Sequence, residues 1–282
     1  MIRLSAFSDE AGSSIQEQIS AMKRNGIRLT ELRSIGGKNV SAFTEEEAIN
    51  YQKELEKNGI EVWAIGSPLG KVDVNVDFDE YSKTVEHVCK LAKIFKTDKI
   101  RMFSFFNAFS SQEKVFENLA KMVEIGKKYG VEMYHENEKD IYGDVAKRVL
   151  HIMENVQGLK YIYDPANYLQ CGEKADDTLD LFVKTTNYFH IKDVQVSSGA
   201  LVPAGYGDGK IDKLVDMVNG DMVFTVEPHL ALFDAYKTID STEMKHKYVY
   251  ATPNDAFDSA VNAIKEILVK AGYKEVDGCF IK

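Results

Sequence analysis

Three carboxylates and one imidazole recur at matching places in the second half of the sequence. Glu136 closes the run Val131 to Glu136, Asp164 closes Lys160 to Asp164, His190 lies within Tyr188 to Lys192, and Glu227 closes Met222 to Glu227. Each run is β-branched or aromatic and leads into a turn, the pattern of a strand delivering its last residues to a loop. Taken singly, an Asp, Glu or His at a strand end reads as a helix cap or a partner for loop amides. Four in succession at similar strand positions read differently. Crowded carboxylates raise one another's pKa unless a cation neutralises them, so the set favours one bound divalent metal ion. Oxygen-rich ligation with a single His suits manganese, magnesium or cobalt, with zinc as a further option. A structural zinc site would draw on cysteine, and Cys89, Cys171 and Cys279 are too few and too widely spaced for that or for a disulfide framework.

The elements that must position this set repeat about every 26 to 38 residues, an apolar run followed by a charged amphipathic stretch. The strand candidates are Ile2 to Phe7, Arg28 to Arg33, Glu61 to Gly66, Lys99 to Ser104 and the four runs above. The helical candidates are Ser14 to Arg24, Thr44 to Lys57, Asp79 to Phe95, Glu113 to Tyr129, Ile141 to Val156, Ala175 to Lys184, Ile211 to Asn219 and Asn254 to Lys270. Asn25-Gly26, Asn58-Gly59 and Tyr129-Gly130 punctuate helix ends. Eight strand-then-helix units in 282 residues predict an α/β fold, a single (β/α)8 TIM barrel. A doubly wound open sheet competes less well, because strand one is followed by Ser8-Asp9-Glu10-Ala11-Gly12 and not by a dinucleotide fingerprint. No linker or low-complexity tract divides the chain, so residues 1–282 are expected to form one domain.

Composition narrows the partners. Lys and Arg number 35 against 44 Asp and Glu, a formal net charge of −9, which disfavours a phosphate-backbone binder; no nucleic-acid partner is expected. No apolar run is long enough to span a bilayer and the first residues enter a strand pattern at once, so no membrane partner and a cytoplasmic location are expected. Small-molecule chemistry remains. In a barrel, side chains at strand C-termini converge on one mouth, where Asp9, Glu10, Glu31, Arg33, Ser67 and Ser104 join the second-half set.

The order of Glu136, Asp164, His190 and Glu227 resembles the xylose isomerase-like TIM barrel superfamily, in particular its sugar phosphate isomerase/epimerase branch with the D-tagatose 3-epimerase group. The likeness runs from Phe7-Ser8-Asp9-Glu10 through Glu31-Leu32-Arg33, Ile65-Gly66-Ser67-Pro68, His135-Glu136-Asn137-Glu138 and His190-Ile191-Lys192-Asp193 to Glu227-Pro228-His229. It implies that Glu136, Asp164, His190 and Glu227 hold a single divalent metal, and that Glu136 and Glu227 are also the acid/base pair. A metal on adjacent ketose oxygens stabilises the enediolate left when a neighbouring C–H proton is removed. Return of the proton to the opposite face epimerises; return to the next carbon isomerises. The resemblance implies a carbohydrate substrate and leaves a homo-oligomer open.

Strand parity points Lys192 the same way as His190 and Arg33 the same way as Glu31, toward substrate oxygens or toward barrel carboxylates such as Glu31 or Glu136. Ser67 follows strand three in the mouth. Asn167 stands where relatives often place a His, and serves either a sugar hydroxyl or the turn. Phe7 walls a sugar pocket or belongs to the core. Pro203 to Gly209 is either a phosphate-binding loop or a plain flexible one, and carries Tyr206 where relatives often have Glu. The long segment from His229 to Pro253, with Phe233, Tyr236, Tyr248 and Tyr250, reads as a lid, a subunit contact or surface decoration. Beside the isomerase or epimerase stand a metal-dependent lyase or dehydratase of a keto-inositol or glycoside-type substrate, a metal-free sugar-binding protein, and a hydrolase like endonuclease IV. The last would need several more His ligands and a basic surface, whereas of six histidines only His135, His190 and His229 lie near strand ends.

Overall fold

The computed structural model describes residues 1–231 and 250–282. The eight expected strands form: β1 Ile2–Ala6, β2 Leu29–Leu32, β3 Glu61–Ile65, β4 Lys99–Met102, β5 Glu132–Glu136, β6 Lys160–Ile162, β7 Tyr188–Ile191 and β8 Met222–Val226. All neighbouring pairs are parallel, and β8 returns to β1 with Ile2 opposite Met222 and Ala6 opposite Val226. The seam between the short β6 and β7 closes through Tyr163, whose N–H donates to Tyr188 O at 3.1 Å and whose C=O accepts from His190 N at 2.9 Å. The sheet is therefore a closed barrel with no open edge between β6 and β7.

Among the described residues, eight helices of seven residues or more follow the strands: α1 Ile15–Arg24, α2 Glu45–Lys57, α3 Phe78–Ile94, α4 Gln112–Lys128, α5 Ala146–Asn155, α6 Ala175–Phe182, α7 Ile211–Met217 and α8 Pro253–Lys270. Reciprocal capping boxes start two of them, Ser14 with Glu17 on α1 and Thr44 with Glu47 on α2. Gly26, Gly59 and Gly130 sit at positive φ just past α1, α2 and α4, where a side chain would be strained. The helices pack the outer faces of the strands through one continuous core that includes Ile19, Val88, Leu119, Phe182, Leu214 and Ile264.

Several features depart from the expected pattern. A six-residue helix, Pro165–Gln170, starts directly on Asp164, and α5 begins at Ala146 after a short helical turn over Tyr142–Asp144. Short antiparallel hairpins add Ser34–Ile35 with Lys38–Asn39, Asp193–Gln195 with Ala200–Val202, and Lys274–Val276 with Cys279–Ile281. The last pairs with β1 through Ile2 and Arg3, covering the end of the barrel opposite the strand C-termini. At that lower end the interior is apolar, filled by Ala64, Tyr134, Ile162 and Tyr188 with Trp63 against them. Among the described residues no helix is long and apolar enough to cross a membrane.

Candidate active site

The mouth of the barrel gathers charge instead of apolar bulk. Strand alternation turns Glu136, Asp164, His190 and Glu227 inward from β5 and the ends of β6 to β8, and all four are fully or almost fully buried. One donor atom from each lies within 4.8 Å of the others, a cluster able to hold a metal ion. His190 is its centre. Its Nδ1 lies 2.8 Å from Glu136 Oε1 and 3.0 Å from Glu227 Oε2, while its Nε2 lies 2.9 Å from Glu31 Oε2. Tyr188, two residues earlier on the same face, donates its hydroxyl to the same Glu31 oxygen, fixing that carboxylate beneath the imidazole.

Asp164 performs the capping role and the mouth role with different oxygens. Oδ1 accepts from Asn167 N at 3.0 Å and caps Pro165–Gln170, whose first residue is a proline with no N–H to satisfy. Oδ2 faces the Lys192 ammonium at 2.8 Å and has no hydrogen bond of acceptable geometry, as is also true of Glu227 Oε2. Asn137 locks the site's backbone: its side chain donates to Asp164 O and accepts from Asp164 N, both at 2.9 Å, extending the β5–β6 ladder one residue past its end.

The first half of the barrel contributes cations. Arg33 grips Asp9 with two bonds of 2.9 Å and also meets Glu10 at 3.2 Å and Glu227 at 3.3 Å. Arg101, from β4, lies 3.1 Å from Glu136 Oε2, 3.6 Å from Glu31 Oε1 and 4.0 Å from Glu227. Both guanidinium groups lie against the ring of Phe7, at 4.2 and 4.8 Å from its centroid, and the ring edge meets His190 at 5.2 Å. A Cβ on Gly66 would stand 2.8 Å from Phe7 and 3.3 Å from Arg33, so the end of β3 must lack a side chain for this stack to form.

Burial alone would neutralise these acids, and the cations decide which ones resist. Burial pushes Asp164 up to about 6, with Glu227 and Glu136 adding to the rise against Lys192. Burial also opposes ionisation of Glu227, but Lys192 and His190 outweigh it and hold that carboxyl well below the usual range. For His190, the pull of Glu136, Glu31 and Glu227 overcomes burial and raises the imidazole well above its ordinary value. The position between the carboxylates thus demands positive charge.

The structure brings Phe7, Arg33, Asn167 and Lys192 to the same mouth as the four donors. Asn167 Nδ2 reaches Glu136 Oε1 at 3.5 Å and Asn137 O at 2.8 Å. Lys192 faces the mouth with His190, as strand parity predicts, and its barrel carboxylate partners are Asp164 at 2.8 Å and Glu227 at 3.7 Å in place of Glu31 or Glu136. Ser67 differs: its hydroxyl donates to Arg101 O and accepts from Leu69 N, so it is committed to the turn after β3. His135 alternates outward, and the imidazole is buried beneath Gly143, where burial pushes it down to about 3. Arg101 was not singled out in the sequence, where an arginine in the run Lys99 to Ser104 carries no sign of the carboxylates it meets. The glycine loop does not offer its amides to a phosphate, because Gly205, Gly207 and Gly209 all donate to Asp193. Phe233, Tyr236 and Tyr248 lie outside the described residues, whereas Tyr250 bonds Ser259 on α8.

Residues 19–267 match the family described as xylose isomerase-like TIM barrel. The chain belongs to that family. No curated protein sequence matches this xylose isomerase-like barrel significantly. Among solved structures it is similar to the probable 3-DHS dehydratase AsbF of Bacillus anthracis, with a TM-score of 0.72 and 16% identity over 94% of this chain and 99% of that one. A D-allulose 3-epimerase from Methylomonas sp. also gives 0.72, at 9% identity over 94% and 98%. The IOLI protein with a bound zinc atom gives 0.72, at 12% identity over 95% and 99%. At these identities the likeness is one of fold, and the barrel's chemistry rests on its own residues.

Proposed function

We propose that this barrel is a divalent-metal-dependent isomerase or epimerase of a monosaccharide or related keto-polyol. The observation that carries the reading is the convergence of Glu136, Asp164, His190 and Glu227 within 4.8 Å, with buried oxygens of Asp164 and Glu227 lacking hydrogen bonds. The donor set fits a manganese, magnesium or cobalt ion: three carboxylates, and an imidazole whose Nε2 is directed at Glu31 so that Nδ1 faces the cluster. When bound, such an ion supplies a Lewis acid for vicinal oxygens of a ketose. Glu136 and Glu227 approach His190 from β5 and β8, so one carboxylate takes the proton from carbon and the other returns one to the opposite face. Lys192 and Arg101 meet negative charge developing on substrate oxygen, and Phe7 provides an apolar wall.

Charge supports an uncharged substrate. Among the described residues of the mouth, Asp9, Glu10, Glu31, Glu136, Asp164 and Glu227 face Arg33, Arg101 and Lys192, each of which is already paired with carboxylate. One divalent ion leaves the balance slightly negative, which repels a phosphate or carboxylate. A second reading, elimination of water from a keto-polyol, is favoured by Lys192, whose buried ammonium can protonate a departing hydroxyl. The B. anthracis structure named above is described as a probable dehydratase.

The test is proton-to-deuterium exchange in heavy water on neutral ketoses, keto-inositols and their phosphates, with and without Mn2+. Metal-dependent exchange beside a carbonyl with retained carbon skeleton and oxygens supports the first reading; loss of water supports the second. Absence of both Mn2+ binding and exchange across the panel would refute the assignment.

A further inference from the structure

Beside the four-donor cluster lies a second set, Glu10, Glu227 and His229, whose donor atoms also fall within 4.8 Å of one another and are buried. Glu227 belongs to both sets and divides its oxygens between them. Oε2 faces His190 at 3.0 Å, and Oε1 lies 3.3 Å from His229 Nε2. Glu10 bridges the set in turn, with Oε1 3.4 Å from His229 Nε2 and Oε2 accepting the His229 backbone N–H at 2.7 Å. That bond holds a histidine at φ +47, a conformation that side chains rarely adopt, so the imidazole is placed with care next to the two acids.

A cation already stands there. Arg33 Nη1 is 3.3 Å from Glu227 Oε1 and 3.4 Å from His229 Nε2, and Nη2 is 3.2 Å from Glu10 Oε1. The same guanidinium is fixed from behind by the two bonds to Asp9, itself held by the Ser34 hydroxyl at 2.7 Å, and from the side by the Phe7 ring. We propose that Arg33 is the second cation of the mouth: its guanidinium fills the place between Glu10, Glu227 and His229 that a second divalent ion would take, and so limits the centre to one metal. The inference rests on the metal reading of the first cluster. Without Arg33, Asp9, Glu10, Glu227 and the His229 imidazole would face one another, and the cations left beside Glu227 would be Lys192, 3.7 Å from Oε2, and Arg101, 4.0 Å from Oε1. Acids so placed either bind a proton or bind a metal. The consequence is chemical: a second ion held by Glu10, Glu227 and His229 would supply a clamp suited to displacing a leaving oxygen, whereas the fixed guanidinium would leave Glu227 free to serve proton transfer beside a single ion.

The experiment counts ions. Manganese alone is titrated into the metal-stripped full chain, wild type and Arg33→Gln, with stoichiometry from calorimetry and elemental analysis and the electron paramagnetic resonance spectrum recorded at saturation. One ion for the wild type and two for Arg33→Gln, with a spin-coupled signal that Arg33→Gln combined with Glu10→Gln abolishes, is expected. One ion in both overturns the inference and leaves the metal reading standing; two in the wild type also overturns it. No ion in the wild type overturns the metal reading and this inference together. Should Arg33→Gln fold only with manganese present, Arg33→Lys, which keeps the charge, must still bind one ion; two in that variant would refute the proposal.

Discussion

Asp164 and Asp193 are both completely buried aspartates just beyond barrel strands, yet they are neutralised in opposite ways. Asp193 accepts four backbone N–H groups, from Val194 at 2.9 Å, Gly205 at 2.9 Å, Gly207 at 3.1 Å and Gly209 at 2.8 Å. A Cβ on Gly207 would lie 2.3 Å from its carboxylate, so the glycines of this loop serve a closed, self-contained contact. Burial lifts the pKa of Asp193 above the ordinary value, and the four amides offset part of that rise. Asp164 has one amide on Oδ1 and only the Lys192 charge opposite Oδ2. Fixed dipoles finish an acid; exchangeable charges leave it able to take a ligand. The difference separates a structural carboxylate from the proposed working ones more sharply than burial does.

The strongest way to sharpen that contrast is within the mouth. Glu227→Gln keeps the shape but loses the charge that meets His190, Lys192 and Arg33, and turnover should fall about 10²–10⁴-fold, the usual loss on removing an acid/base group, while circular dichroism stays native. Unchanged kinetics would remove Glu227 from the chemistry. His190→Ala deletes a proposed ligand, and Glu31→Gln deletes only the carboxylate behind it. Manganese affinity should drop by about 10–100-fold for Glu31→Gln, as for other groups that orient a ligating imidazole, and by more for His190→Ala. Equal affinities in all three proteins would break the comparison, since Glu31 and His190 would then be a structural pair like Asp193 and its amides.

What the sequence disclosed and what it hid follow the same division. Glu136, Asp164, His190 and Glu227 were legible because strand ends in a barrel converge whatever the loops do, and each of their four strands is a β-branched or aromatic run that leads into a turn. The hairpins of two or three residues per strand carry too few residues for a pattern, and they form only because the barrel brings them together. The helix Pro165–Gln170 is likewise too short for periodicity, although Asp164-Pro165 is an N-cap followed by a first-turn proline. Arg101 was missed because an arginine in a short strand reads as solvated until its partners, Glu31 and Glu136, are seen facing it. The Gly205, Gly207 and Gly209 amides had a phosphate reading because spacing cannot reveal that an aspartate ten or more residues earlier fills the cradle.

That cradle supplies the next test. Asp193→Ala strips four amides, two of them buried, of their acceptor, and the denaturation midpoint should fall by an amount equivalent to about 2–4 kcal/mol, with water repairing part of the loss. Manganese stoichiometry should stay at the wild-type value. A stable Asp193→Ala that no longer binds metal would show that the loop, and not the mouth, carries the site.

The smallest effect is expected where an acid meets a cation in the open. Asp258 on α8 accepts from Arg24 at 2.7 and 2.8 Å and from Asn25 at 2.6 Å, tying the end of α1 to the last helix. Burial opposes its ionisation, and the bonds from Arg24 and Asn25 with the Arg24 charge together outweigh it and hold its pKa below the ordinary value. A depressed folded value means the contribution is present above the unfolded aspartate pKa and is lost as pH falls through the folded one. Asp258→Asn should therefore cost under about 1 kcal/mol at neutral pH, because solvent and salt screen a half-exposed pair. In a pH series of urea melts the difference between variant and wild type should shrink steadily below the ordinary aspartate range. A difference that persists in acid would assign the effect to the Asn25 hydrogen bond and packing, making Asp258 a dipole-satisfied acid like Asp193 and not a charge partner.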